Sequence, residues 1–243
     1  DGASWSEPRD LNPMIKDPAW NAMWCSPGRG LQTRDGRLLV PSSSLRDGVR
    51  HSQVFASDDH GTTWTTLTAS GRNTNEHMVV ELADGQLMAN MRSNHGQHCR
   101  AVATSSDEGR TWTELLHDAN LTEPVCQASF IRYTDRRDGH AKDRLLFANP
   151  ASRRRENMTV RLSYDEGKTW PVSKVIHPGP SAYSCLTVLD DGTIGLLYER
   201  GEKTAYEKIT FARFNLEWLT DGKDKLETRT VAASPPSEAR RLP

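Results

Sequence analysis

The stretch Ser163-Tyr164-Asp165-Glu166-Gly167-Lys168-Thr169-Trp170 follows a pattern, S-x-D-x-G-x-T-W, that occurs three times in the chain. The other copies are SDDHGTTW at residues 57–64 and SSDEGRTW at residues 105–112, and GASW at residues 2–5 matches the end of the pattern. The Asp carboxylate can accept hydrogen bonds from backbone N–H groups of a tight turn, and Gly supplies the positive φ that the turn needs. Each copy follows a run of β-forming residues, so each copy, called a box below, predicts a β-hairpin turn. An EF-hand calcium loop is excluded, because the acidic residues have neither its spacing nor its number.

A second hairpin signal alternates with the boxes. An Asp precedes each of Gly36, Gly85, Gly139 and Gly192, which are 49, 54 and 53 residues apart. The predicted hairpins pair residues 30–44 with 51–67, 78–92 with 100–116, 128–149 with 158–175, and 183–199 with 208–219. Four-stranded units at this period predict an all-β fold, a β-propeller. A solenoid of the same period is the alternative, but leucine-rich and ankyrin repeat patterns are absent.

The composition fits a globular β protein. The chain has 243 residues, 35% of them apolar, and a formal net charge of −1, so nothing indicates binding to nucleic acid or to a membrane surface. The four cysteines (Cys25, Cys99, Cys126 and Cys185) lack paired spacing, so they neither demand disulfides nor form a CxxC metal motif. From Thr220 the sequence is polar and contains prolines. We therefore expect a propeller over residues 1–219 and a polar tail over residues 220–243.

Chemistry-bearing side chains gather at the end of the propeller opposite the boxes. This end collects residues that precede the first or third strand of a blade, or that close its second strand. They are Glu76, Arg92, the run Arg153 to Arg155, Tyr183 and Glu199. Taken singly, such residues are more often packing or solvated strand ends, and an arginine run is more often a solvated charge run. Because these residues come from three blades and are expected at the same end of the propeller, together they favour a functional site.

Several motifs around these residues resemble the bacterial exo-α-sialidases, and they are similar also to the lysosomal sialidases. The motifs are NEHMVVEL at 75–82, DGQLMANMR at 84–92, NMTVRLS at 157–163, GPSAYS at 179–184 and GLLYE at 195–199. The resemblance implies a six-bladed propeller, of which this chain holds about four blades. It also implies sialylated glycans as substrates, no cofactor, no metal, and secretion or a periplasmic location.

Carried over residue by residue, the resemblance assigns five roles. It implies that Tyr183 is the nucleophile and that Glu76 is its base partner. Arg92 and Arg155 correspond to two members of the arginine triad that binds the sialic acid carboxylate. Glu199 corresponds to the carboxylate that supports the remaining arginine. The chemistry agrees, since a planar guanidinium suits a carboxylate. A neutral phenol avoids repulsion from that carboxylate, and with a reference pKa of about 10 it needs a base. Sialidases are the tyrosine exception among retaining glycosidases.

Two elements of the family pattern are not found in the chain. These are the Arg-Ile-Pro strand with the first triad arginine, and the aspartate that acts as general acid and base. We therefore expect the front blades to lie in a longer protein or in a separate chain. A four-blade arc would expose apolar surface on both flanks. A closed four-bladed ring is a third and less favoured option.

Alternatives to a retaining exo-α-sialidase follow from the same residues. The first is a sialic-acid-binding or scaffold propeller without hydrolysis, and the second is a trans-sialidase or related glycosidase. His95, His98 and Cys99 could ligate a metal, but a loop beside the site is the favoured interpretation.

The segment 17–30 is interpreted as a loop before a first strand, so we expect it to border the same mouth of the propeller; the alternative is that it only caps the missing blade. Its Trp20, Trp24 or Arg29 could contact the acyl or glycerol groups of the sugar.

Overall fold

The computed structural model describes residues 2–227. The first blade holds β1 (Ala22–Cys25), β2 (Leu31–Gln32), β3 (Leu38–Arg46), β4 (Val49–Ser57), β5 (Thr65–Thr66) and β6 (Gly71–Arg72). The second holds β7 (Thr74–Glu81), β8 (Leu87–Ser93), β9 (Cys99–Ser105) and β10 (Leu116–Thr122). The third and fourth share β14, and their strands are β11 (Ser129–Thr134), β12 (Arg144–Pro150), β13 (Glu156–Ser163), β14 (Val172–Val188), β15 (Ile194–Arg200) and β16 (Lys208–Phe214). Three short helices complete the described chain: α1 (Asn12–Ile15), a 3₁₀ turn (Arg136–Asp138) and α2 (Leu216–Leu219).

Neighbouring strands within each blade are antiparallel, as the two hairpin signals predict. The second blade has the order β10-β9-β8-β7. The 17-residue strand β14 serves two blades, because it pairs with β13 up to Pro180 and with β15 from Ser181 onward. The boxes connect β4 to β5, β9 to β10 and β13 to β14, so they lie at the opposite end from the closing residues of the second strands.

The first and last blades differ from the predicted strands. In the first blade the inner strand is divided, since Ala22–Cys25 pairs with β3 across Ser42–Leu45. The segment 17–30 is therefore partly strand, which corrects its interpretation as a loop. In the last blade the predicted strand over 208–219 ends at Phe214, because the Asn215 side chain accepts a hydrogen bond from the Trp218 N–H (2.8 Å) and caps the N-terminus of α2.

The three boxes have one hydrogen-bond pattern. In each, the Ser hydroxyl donates to Asp Oδ1 (2.8 Å), and the Thr N–H donates to the same oxygen (2.8 Å). The Gly N–H donates to the Ser Oγ at 2.8–2.9 Å. The glycines Gly61, Gly109 and Gly167 have φ between +81° and +86°. This geometry confirms the hairpin turns and explains the required Gly.

The residue before the box glycine also has a left-handed backbone and links adjacent blades. Glu108 and Glu166 have φ of +62° and +60°, which is uncommon for a residue with a Cβ. The Glu108 carboxylate pairs with Arg37 of the first blade (3.0 Å). The Glu166 carboxylate accepts a hydrogen bond from the Ala83 N–H of the second blade (2.8 Å) and pairs with Arg132. These contacts offset the backbone cost and hold neighbouring blades together.

The hydrophobic core runs from blade to blade. One cluster packs the first blade against the second, and a larger one joins the second, third and fourth. In the larger cluster the box residue Trp170 packs against Phe130 and Phe147, with ring centroids 6.3 and 5.7 Å apart. Because this packing fixes the blades relative to one another, it also fixes the side chains at the opposite end. In the described part of the chain, no helix has the length and apolar character needed to cross a bilayer.

The polar segment after residue 219 begins as part of the folded unit. Asp224 accepts hydrogen bonds from Arg144 (2.9 Å to each carboxylate oxygen) and Lys142 (3.1 Å), and Leu226 packs against the larger core cluster. Thr220 and Asp224 are buried. The expected start of the tail is thus corrected for residues 220–227, and residues 228–243 lie outside the described part.

The box carboxylates predict a loss of stability in acid. Hydrogen bonds from Thr63 and Thr111 lower the pKa of Asp59 and Asp107 to about 2. These ionised groups stabilise the fold above the unfolded pKa of about 4, and that contribution is lost as the pH falls toward about 2. We expect the difference in Tm between wild type and Asp107→Asn to be largest above about pH 5 and to vanish near pH 2. Thermal unfolding followed by circular dichroism measures it, and a difference independent of pH would contradict this account.

Candidate active site

Glu76 lies in a β-bulge between β7 and β8. Thr74 pairs with Ser93 and His77 with Met91, so the two residues between them, Asn75 and Glu76, oppose the single residue Arg92. A bulge redirects a side chain that regular alternation would aim elsewhere. Here it places the Glu76 carboxylate against the guanidinium of Arg92, with Nη1 and Oε2 2.6 Å apart. The expectation that Glu76 precedes the strand is wrong in detail, since it lies within β7.

Tyr183 occupies a second bulge, in the middle of β14. Ser181 pairs with Arg200 and Ser184 with Tyr198, so Ala182 and Tyr183 oppose Glu199. The Tyr183 N–H donates to Glu199 Oε2 (3.0 Å). Glu199 thereby holds the backbone of Tyr183, and its support of a further arginine stays a prediction. Tyr183 was expected to open a strand, but β14 begins at Val172.

The three side chains meet across the second and fourth blades. The Tyr183 hydroxyl donates to Glu76 Oε1 (2.5 Å), and Arg92 Nη1 donates to the Tyr183 oxygen (3.2 Å). The Arg92 and Glu76 side chains are 16% and 13% exposed, so they are largely shielded but open to a ligand from the mouth. A phenol, a carboxylate and a guanidinium therefore form one contact group, although Glu76 and Tyr183 are 107 residues apart in sequence.

The electrostatics keep the phenol protonated in the resting site. Burial, followed by the hydrogen bond and the negative charge of Glu76, raises the pKa of Tyr183 to about 12. Burial alone would lower the pKa of Arg92, but the hydrogen bond and charge of Glu76 outweigh it, and the pKa is raised. At neutral pH the phenolic proton points at a carboxylate that can accept it.

Arg155 is the member of the arginine run that faces Tyr183. Its Cζ lies 5.6 Å from the centroid of the Tyr183 ring, and its Nη1 donates to the Tyr206 hydroxyl (2.5 Å). Arg154 points outward, with 81% of its side chain exposed and a salt bridge to Glu156 (3.2 Å). The strand β13 begins directly after Arg155, which sets this difference in direction.

Two further site residues were missed in the sequence. Tyr206 lies in the loop between β15 and β16, is 61% exposed and contacts Arg155. Gln127 exchanges two hydrogen bonds with the backbone of Ser184 (2.9 Å each), beside Tyr183. No local pattern marks either residue, because their partners lie 51 and 57 residues away.

The segment 17–30 borders the site through its backbone turn. Pro27 and Gly28 line a cavity of about 300 Å³ together with Tyr183 and Glu199. Trp20 instead packs against Arg46, whose Cζ is 4.0 Å from the ring centroid. Contacts of Trp20, Trp24 or Arg29 with a sugar stay a prediction.

His95, one of the residues proposed as an alternative metal site, has other partners. The His95 ring packs edge-on against His117, with centroids 4.8 Å apart, and its Nε2 lies 3.0 Å from the Arg72 carbonyl. Across residues 2–227, no three His, Cys, Asp or Glu side chains form a group that could hold a metal ion.

Comparison with known proteins identifies the family. Residues 1–196 match the family model described as "BNR repeat-like domain". The chain is 39% identical over 226 residues to the sialidase of Micromonospora viridifaciens, covering 90% of the chain and 34% of that protein. It is similar in structure to the Hadza microbial sialidase Hz136, with a TM-score of 0.81 and 41% identity over 90% of this chain and 43% of that one. An intramolecular trans-sialidase from Ruminococcus gnavus gives a TM-score of 0.77 at 28% identity, covering 90% of this chain and 49% of that one.

These matches agree with the fold and with the repeats. They confirm the β-propeller predicted from the two hairpin signals, and the chain spans about a third of the length of the Micromonospora relative (34%). The chain belongs to the sialidase family that carries BNR repeats.

Proposed function

We propose that the protein containing this chain is an exo-α-sialidase that removes terminal sialic acid from glycoconjugates with retention of configuration. The observation that carries the proposal is the contact group of Tyr183, Glu76 and Arg92. A phenol hydrogen-bonded to a largely shielded carboxylate and flanked by guanidinium groups suits attack on an anomeric carbon that itself bears a carboxylate.

In the proposed reaction the chain's residues bind the substrate and move one proton. Arg92 and Arg155 bind the sialic acid carboxylate. The Tyr183 oxygen then bonds to the anomeric carbon while its proton passes to Glu76, and the bond to the leaving oxygen breaks as a general acid from outside this chain protonates that oxygen. Water then gives a proton back to that same group and bonds to the anomeric carbon, which breaks the bond to Tyr183, and the proton returns from Glu76 to the Tyr183 oxygen. Two displacements on one carbon give retention.

The general acid and the first triad arginine are proposed to come from outside this chain. The last blade supports this, because its Leu197, Ile209 and Phe211 side chains are 46%, 74% and 53% exposed. These residues lie on the paired strands β15 and β16, and such an apolar face is one that a further blade would cover. We propose that this further blade completes the site next to Glu199.

Proton NMR of 3′-sialyllactose cleavage tests the function, using protein expressed from the complete natural reading frame. We expect the α-anomer of free sialic acid to appear first and then to mutarotate. A β-anomer formed first would contradict the retaining mechanism. An anhydro sugar formed without water would assign the protein to the intramolecular trans-sialidases, of which one structural neighbour is an example. Binding of the sialoside without release would favour the non-catalytic alternative.

A further inference from the structure

The segment 123–127, between β10 and β11, contacts Arg155 and the residues next to Arg92 and Tyr183 in sequence. The Val125 carbonyl accepts a hydrogen bond from Arg155 Nη2 (3.4 Å). Gln127 holds the backbone of Ser184, next to Tyr183, through two bonds of 2.9 Å. Glu123 Oε1 accepts a hydrogen bond from the Ser93 N–H (2.7 Å), next to Arg92. One short segment thus contacts residues of the second, third and fourth blades.

A buried ion pair anchors this segment. Arg100 and Glu123 are 0% and 1% exposed and lie 2.8 Å apart. Arg100 also donates to the Cys126 carbonyl (2.8 Å), and Glu123 Oε2 accepts from the Cys126 N–H (3.3 Å). Both backbone groups of Cys126 are therefore held by the two partners of the pair.

The same pair reaches the strand that carries Arg92. Arg100 Nε donates to Asn90 Oδ1 (2.7 Å) and its Nη2 donates to the Asn90 carbonyl (3.1 Å). Together with the bond from Ser93 to Glu123, these contacts hold β8 on both sides of Arg92. The pair therefore fixes Arg92 and the segment 123–127 relative to each other.

The backbone of the segment is strained where it meets Arg155. Val125 has φ of +56°, an outlier for a β-branched residue. Such a conformation persists only where the surrounding contacts impose it. Here the next residue, Cys126, has both of its backbone groups held by Arg100 and Glu123. In this conformation the Val125 carbonyl points at Arg155 and accepts its hydrogen bond.

We propose that Arg100 and Glu123 are positioning residues that set the separation of Arg92 and Arg155 and the orientation of Tyr183, an inference that rests on the proposed function. The competing explanation is that the pair only stabilises the fold. The pair Arg144–Asp224 provides a matched control, because it is similarly buried (3% and 7% exposed) with the same kind of short contact (2.9 Å). It ties the box-side segment 220–227 to β12 and contacts no site residue.

The experiment compares Glu123→Gln with Asp224→Asn in the complete protein. We expect both variants to lower Tm, but only Glu123→Gln to lower kcat/KM for 3′-sialyllactose, by at least about tenfold. A double variant, Arg100→Met with Glu123→Leu, removes both buried charges and should regain Tm relative to the single variant. It should not regain kcat/KM. If Glu123→Gln fails to fold, the kcat/KM of the double variant, compared with that of Asp224→Asn, tests the positioning role.

A readout without turnover separates this inference from the proposed function. Phenylglyoxal modifies arginines, and mass spectrometry gives the rate at each site. We expect Arg92 and Arg155 to react several-fold faster in the Glu123 variants than in Asp224→Asn. Equal rates, or full recovery of kcat/KM in the double variant, would overturn the positioning role. If the wild type is inactive and the modification rates still differ between the Glu123 variants and Asp224→Asn as expected, only the sialidase proposal is contradicted.

Discussion

Replacing Tyr183 by phenylalanine is expected to lower kcat for 3′-sialyllactose by at least about a thousandfold, with KM changed by no more than about threefold. The hydroxyl forms the covalent bond in the proposed reaction, whereas the ring supplies the packing and the contact with Arg155 that the variant keeps. Sialyllactose is the appropriate substrate, because its leaving group is an unactivated alcohol and the reaction needs full nucleophilic assistance. Steady-state kinetics on the purified complete protein measures both constants.

Tyr206→Phe is the matched control for this variant. It removes a phenolic hydroxyl from the same mouth, and that hydroxyl bonds to Arg155 rather than to Glu76. We expect a change of less than about tenfold in kcat. An equal loss in both variants, or an unchanged rate in Tyr183→Phe, would remove Tyr183 from the role of nucleophile.

Replacing Arg155 by lysine is expected to lower kcat/KM by about a hundredfold, mainly through a higher KM. Lysine keeps the positive charge but loses the planar fork that binds a carboxylate through two parallel hydrogen bonds. It also loses the stacking on the Tyr183 and Tyr206 rings, whose centroids lie 5.6 and 6.0 Å from the guanidinium carbon.

The neighbouring arginine supplies the control. Arg154→Lys alters a side chain that is 81% exposed and pairs only at the surface with Glu156, so we expect kcat/KM to stay within about twofold of wild type. Initial rates across a substrate series give the comparison. If both substitutions had the same effect, the arginine run would act as a general positive surface and not as a carboxylate clamp.

The sequence predicted the features whose partners lie close together along the chain. The hydrogen bonds among the Ser, Asp, Gly and Thr of a box fall within eight residues, so the turns and the Asp-Gly hairpins could be predicted from local chemistry, and the blade period followed. The predicted end of the last strand is wrong because Asn215 caps a helix that begins at Leu216, and the β-forming residues before it hide this local effect. The sequence predicts a tail from residue 220 onward, because no local pattern indicates that Asp224 pairs with Arg144, 80 residues away.

The geometry of the site depended on strand register, which the sequence does not give. Glu76 and Tyr183 were named through the family resemblance, but the two bulges that direct them arise from pairing across strands. The choice of Arg155 from a run of three arginines likewise depends on where β13 begins. No sequence motif marks Arg100 or Glu123, which lie 23 residues apart and form a buried ion pair in the structure.

The central claim, that the Tyr183 oxygen bonds to the anomeric carbon of the sugar, is tested most directly by trapping the intermediate. A 2,3-difluorinated sialic acid loses fluoride from its anomeric carbon, and the remaining fluorine slows the release of the sugar from the enzyme. Mass spectrometry of the digested complete protein is predicted to find the added sugar on the peptide that contains Tyr183, and not in Tyr183→Phe. An active enzyme labelled on a different residue would contradict the account.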